Sequence, residues 1–282
     1  MTTALLLLMF FQADSLCTLI VESSASLFRK GISMTVLADG TIAVVDQGTT
    51  TVAIVSPNNS VSAMVGGKGF GSDAFDLPSD ISSSFLLDLY LVDQNNRRVL
   101  RFDKQLNMIQ SIDEEQVGQR TGAFQPIATA VSSLGDLYIL ERDQKRVAVF
   151  NSRGQFLKDF GTLNGSSRIL SDPRDITIGD NDEIFVLDND RVLRFDIFGN
   201  LLTRYDLDPD GEPTALSFGN SSVIVTSPKQ IVIIPLATGV PKIITGTSFI
   251  GETVNDTFTD VYLSGEICII LTASSILRCL IR

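Results

Sequence analysis

A short apolar strand ending at Asp93, a polar turn and a second strand from Arg98 to Phe102 recur along this chain at intervals of 47 or 48 residues. The other copies are Ile42–Asp46 with Val52–Val55, Leu137–Glu141 with Arg146–Phe150, and Ile184–Asp188 with Arg191–Phe195. A fixed period of this size marks a propeller or a solenoid, because one unit cannot bury its own apolar faces and must stack on a neighbour. Runs of β-branched and aromatic residues dominate, separated by Gly, Asn, Asp and Ser turns, with almost no helical period.

Inner strands begin near residues 32, 79, 127, 174, 214 and 259, which makes six units. The units run to the last residue, so a chain of 282 residues reads as one closed all-β domain over 16–282. The sixth unit has room for only three strands, and an open outer edge there would invite wrong pairing. Cys17–Glu22 lies just ahead of the first unit. It is expected to serve as the missing fourth strand against Ile276–Ile281, zipping the two ends of the chain together. The expected fold is an all-β, six-bladed propeller of four-stranded antiparallel blades.

The first residues read differently. Ala4 to Phe11 is an apolar block too short to span a bilayer and suited to a signal-peptide core, and Ala13-Asp14-Ser15 offers small residues for cleavage. Residues 1–15 are therefore expected to be a signal peptide or an apolar N-terminal segment, the alternative being an extra strand on the propeller. The Met-Thr-Thr start carries no basic residue. The export reading places the protein outside the cytoplasm. Sequons at Asn58, Asn164, Asn220 and Asn255 agree with that, although Ser and Thr are common enough here to produce them by chance. The three cysteines leave an odd one. If the last hairpin turns at Ala273-Ser274, Cys268 and Cys279 face each other; they either form a disulfide or are two small buried apolar groups. Cys17, on the closing strand, falls near Cys279, so the pairing is open.

The units resemble NHL repeats, which form six-bladed propellers. Asp88 to Asp103 matches that pattern in the second unit. Gly122-Ala123-Phe124-Gln125-Pro126 and Gly135 to Gly154 match it in the third, and Asp172 to Ile176 with Arg191 to Gly199 in the fourth. The first, fifth and sixth units keep the spacing but lose the Arg and the Phe-Asp pair. The resemblance implies that Arg98, Arg146 and Arg191 brace neighbouring turns and that Phe75 and Phe124 plug gaps between blades. Fold alone does not name a function.

The formal net charge of −11 and the lack of any Lys/Arg run disfavour nucleic acid as a partner. There is no histidine, so Ser-His-Asp and Cys-His chemistry and His-ligated metals are excluded. That removes the histidine-dependent lyases of similar fold. A calcium-dependent lactonase remains as an alternative, but the inner strands read as Ser, Thr and Ala with no acidic set. Asp46, Asp93, Glu141 and Asp188 end the second strand in four units. They either form a carboxylate ring for a cation or cap turns, and a feature repeated in this way points to capping. No cofactor or metal is implied. Loops between blades carry specificity in such scaffolds, which nominates Lys68, Phe70, Gln119, Arg120, Arg168 and Arg174 as ligand contacts. The expectation is a non-enzymatic propeller that binds a protein, peptide or glycan, with membrane contact only through the N-terminus or a partner. A structural subunit of an exported assembly is a further alternative.

Overall fold

The computed structural model describes residues 19–84, 88–117, 124–162, 169–208, 211–249 and 254–281, where 24 strands form six four-stranded antiparallel sheets. The chain enters at β1 (Leu19–Ser26). Blade 1 holds β2 (Gly31–Val36), β3 (Ile42–Asp46), β4 (Thr51–Val55) and β5 (Val61–Gly66). Blade 2 holds β6 (Pro78–Ser83), β7 (Leu89–Asp93), β8 (Arg98–Phe102) and β9 (Met108–Ile112). Blade 3 holds β10 (Pro126–Val131), β11 (Leu137–Glu141), β12 (Arg146–Phe150) and β13 (Phe156–Phe160). Blade 4 holds β14 (Pro173–Ile178), β15 (Ile184–Asp188), β16 (Arg191–Phe195) and β17 (Leu201–Asp206). Blade 5 holds β18 (Ala215–Gly219), β19 (Ser222–Thr226), β20 (Gln230–Pro235) and β21 (Lys242–Thr245). Blade 6 is β22 (Phe258–Ser264), β23 (Ile267–Thr272) and β24 (Ser275–Ile281), with β1 as its outer strand.

The six-bladed propeller read from the period is therefore the fold. Its second strands, β3, β7, β11, β15 and β19, are buried at every residue. Both faces of each pack against something, which is why they read as unbroken apolar runs rather than alternating ones. The core is a ring of seams between blades. Leu89, Leu91 and Leu100 of blade 2 pack on Val45, Val52 and Ile54 of blade 1, with Phe75 plugging that seam. Phe124 fills the seam between blades 2 and 3. Outer strands such as β5 show one face to solvent.

Ring closure follows the expected pairing but over a longer strand. Leu19 pairs with Ile281 and Ser26 with Ser275, and a bulge between Val21 and Ser23 resets the register. The added residue lets pairing continue past the expected end at Glu22, since a bulge keeps the later side chains in phase with the seam. The Leu19 N–H also donates to the Ser248 carbonyl at 3.0 Å, and its side chain is buried with Ile244 and Phe249 between blades 5 and 6. Cys268 stands directly opposite Cys279, both buried. Cys17 and the apolar block 4–11 lie outside the described residues.

Candidate functional site

The innermost strands line the axis; the third residues of β2, β6, β10, β14 and β22 read Ser33, Asp80, Ala128, Asp175 and Asp260, and β18 begins with Ala215. Every second blade supplies an aspartate. This corrects the expectation that the inner strands hold no acidic set. The three acids are legible as Pro-Ser-Asp-Ile, Pro-Arg-Asp-Ile and Phe-Thr-Asp-Val, each with a β-branched residue after the acid. A bulge precedes each one, between Pro78 and Asp80, Pro173 and Asp175, and Phe258 and Asp260. Bulges re-aim the side chain that follows them.

The inner strands are sheet edges, so alternate N–H groups lack a ladder partner and need one from elsewhere. The aspartates supply it across the seams. Asp80 Oδ2 accepts from the Thr129 N–H at 2.7 Å, Asp175 Oδ2 from Leu216 at 2.6 Å, and Asp260 Oδ2 from Met34 at 2.8 Å. The second oxygens accept from Ser33 Oγ at 2.8 Å, and from the Ile176 and Val261 N–H groups at 2.7 Å each. Asp80 thus touches blades 1 and 3, Asp175 reaches blade 5, and Asp260 reaches blade 1.

A cavity of about 270 Å³ begins at these carboxyls and is lined by the residues that follow them along the inner strands, out to Val36, Ser83, Val131 and Ile178. Its polar lining is hydroxylic. Ser82 Oγ and Thr129 Oγ1 are 2.8 Å apart, and Thr35 Oγ1 and Ser83 Oγ 2.7 Å. Ser217 Oγ finds no hydrogen-bond partner among the described residues. No Lys or Arg lines the cavity.

Burial raises the pKa of all three acids, because a low-dielectric site disfavours the charged form. Asp260 is pushed up to about 7, with Asp80 adding repulsion. Asp175 is held well above the carboxylate range by burial and by repulsion from Asp80 and Asp260, and Asp80 is raised by burial. Backbone N–H bonds oppose these shifts without overcoming them. Carboxyls that exchange protons near neutrality can act as general acids or bases, and when ionised they attract cations. Among the described residues, no three acidic or thiol groups are placed to hold a metal ion together.

Those of the residues nominated from the sequence that are described lie elsewhere. Lys68 and Phe70 are exposed on the connector before blade 2, away from the cavity lining. Arg174 is tied to Asp172 at 3.0 Å and Glu212 at 2.6 Å. Gln119, Arg120 and Arg168 lie outside the described residues. The repeated acids sit beneath the connectors. Asp46 accepts from the N–H groups of Arg29, Lys30 and Gly48, and Asp188 from those of Ser171 and Asp172. Asp93 accepts from the Asp76 N–H and from Arg98 Nε at 2.9 Å. Arg98 also donates to the carbonyls of Phe70, Gly71 and Ala74. Arg146 grips Glu141 and Asp159, and Arg191 grips Asp188 and the Ile169 carbonyl. Asp46, Asp93 with Arg98, and Asp188 with Arg191 thus fasten a connector to the blade that follows it, while Arg146 joins Glu141 to Asp159 within blade 3.

No family model matches the chain. By sequence it is 32% identical over 134 residues to the B-box type zinc finger protein ncl-1 of Caenorhabditis elegans, covering 46% of this chain and 15% of that protein. It is 29% identical over 136 residues to the protein brain tumor of Drosophila melanogaster, covering 46% and 12%. The chain therefore spans less than a sixth of the curated relatives it matches. Among solved structures it resembles virginiamycin B lyase of Staphylococcus aureus, with a TM-score of 0.65 and 11% identity over 94% of this chain and 99% of that one. It also resembles a gluconolactonase of Xanthomonas campestris, with a TM-score of 0.69 and 11% identity over 91% and 88%. Identities this low carry the fold alone. They nonetheless overturn the expectation of a non-enzyme, since enzymes occupy this same frame. Absence of histidine removes only histidine-dependent chemistry, and the channel carboxyls supply another proton-exchanging group.

Proposed function

We propose that this chain is an NHL-type propeller that recognises a protein or peptide partner at the mouth of its central channel, a basic side chain of the partner entering toward Asp80, Asp175 and Asp260. The observation that carries this reading is the carboxyl-floored, hydroxyl-lined cavity of about 270 Å³ with no basic lining residue. It has room for a lysine or arginine head group, and desolvated carboxylates offer a cation charge-assisted hydrogen bonds. The partial sequence likeness to ncl-1 and brain tumor supports the repeat type. The test is titration with a short peptide carrying one Lys, against the same peptide carrying norleucine. The Lys peptide is expected to bind and the norleucine peptide not, with binding weakened by Asp80→Asn. Equal behaviour of the two peptides contradicts the reading.

A second reading is favoured by Asp260, whose pKa of about 7 suits acid–base catalysis in the same channel. It predicts turnover of a small lactone without added Ca²⁺ and loss of turnover in Asp260→Asn. No turnover in the wild-type chain removes it. An extracytoplasmic location belongs to the proposal as well, and the mass of the mature N-terminus checks it.

A further inference from the structure

Three features of the channel floor belong together. Each of the three carboxyls crosses a seam between blades, each is buried, and all three face one cavity with no cation opposite them. We propose that Asp80, Asp175 and Asp260 work as one proton-exchanging unit that switches the channel between a neutral and an anionic state and ties the blade seams to that switch.

The surroundings leave the three acids to set the charge among themselves. The lining contributes Ser33 and Thr35 from β2, Ser82 and Ser83 from β6, Thr129 from β10, Thr177 from β14, Ser217 from β18 and Tyr262 from β22. None of these is a Lys, Arg, Asp or Glu, and Tyr262 is the one other ionisable side chain among them. Arg174, next to Asp175 in the chain, is turned to Asp172 and Glu212 instead. Groups that repel each other this way lose their protons in steps that belong to the set rather than to one residue. Asp175 is held well above the carboxylate range by burial and by repulsion from both other acids, and Asp260 is pushed up to about 7.

The sign follows from the direction of these shifts. The folded pKa values lie above the unfolded ones, so between about pH 4 and 7 the folded chain holds more protons than the unfolded chain. Stability falls as pH rises through that window. Asp39, Asp46, Asp103, Asp196 and Asp256, whose carboxyls are held low, contribute stability that is lost on acidifying below about pH 4. Stability is therefore greatest on the acid side of neutrality.

The experiment is an NMR titration of the full chain labelled with ¹³C at the aspartate carboxyls, with no ligand present. It is independent of peptide binding, so failure of the switch and failure of the binding reading are distinguishable. Carboxyl midpoints above those of exposed aspartates, which lie at about pH 4 or below, are expected for all three, with Asp260 near 7. The amide signals of Met34, Thr129 and Leu216 should move with the same midpoints, as they donate to these carboxyls. Asp260→Asn should lower the midpoint of Asp175 by relieving repulsion. Asp80→Asn should do the same, and it serves if the first variant does not fold. The proposal is overturned if every aspartate titrates below about pH 5, if the three amides stay still, or if the Asp175 midpoint ignores both substitutions.

Discussion

Arg98→Met offers the sharpest check on how the connectors are held. Methionine keeps most of the apolar stem and removes the guanidinium fork. The wild-type fork makes four bonds, to Asp93 and to the carbonyls of Phe70, Gly71 and Ala74, and the Asp93 side chain is fully buried. Breaking a buried pair on one side costs about 3–5 kcal/mol because a charge is left without its partner. Asp93 keeps bonds from the Asp76 N–H and from Asn96 Nδ2. The freed carbonyls of Phe70 and Gly71 belong to exposed residues and can find water. Both facts favour the low end, about 3 kcal/mol, or roughly 6–10 °C in Tm for a domain of this size. Urea unfolding followed by circular dichroism measures it. Arg204→Met is the control, since the Arg204–Asp206 pair is largely exposed and such pairs are worth about 1 kcal/mol or less. Limited proteolysis should also cut residues 67–77 faster in Arg98→Met. Equal losses in the two variants would refute the reasoning.

Other outcomes follow from the packing. Gly219→Ala would set a Cβ 2.0 Å from the Leu263 carbonyl oxygen, so the seam between blades 5 and 6 must open, at about 3 kcal/mol. Gly265→Ala, where nothing lies within 4 Å and φ is +60°, should cost only about 1 kcal/mol. Leu19→Ala empties a fully buried site in the closing seam and should cost about 3 kcal/mol by denaturant titration; a loss well under 1 kcal/mol would show that the seam is not built this way. Cys268 and Cys279 are buried. Thiol reagents should therefore modify neither at an appreciable rate in the native chain; rapid modification there would contradict the packing.

The fold was legible because its signal repeats. Strand limits at Leu137–Glu141, Arg146–Phe150, Ile184–Asp188 and Arg191–Phe195 coincide with those in the structure, since burial on both faces leaves a largely apolar run. The channel floor was not legible by the same method. Reading one period against the next brings out residues shared by four successive blades, such as Asp93 and Asp188, which fasten connectors. Asp80, Asp175 and Asp260 lie 95 and 85 positions apart, two blades at a time, so they vanish from a single-period comparison. Only the bulge before each acid and the inter-blade N–H groups, both products of the folded ring, bring them together. The loop candidates rest on a different signal: exposure on a connector says nothing about where the ring encloses a cavity, and Lys68 and Phe70 lie away from its lining. In Arg174 the charge was already spent on Asp172 and Glu212.

The most direct measurement is amide hydrogen exchange at the junction of the chain's two ends, residues 19–26 against 275–281. A ring closed by that pairing predicts that both segments exchange together, in the slowest class, at the rate of global unfolding. Exchange of 19–26 within seconds while 275–281 stays protected would contradict a ring sealed by its own first strand.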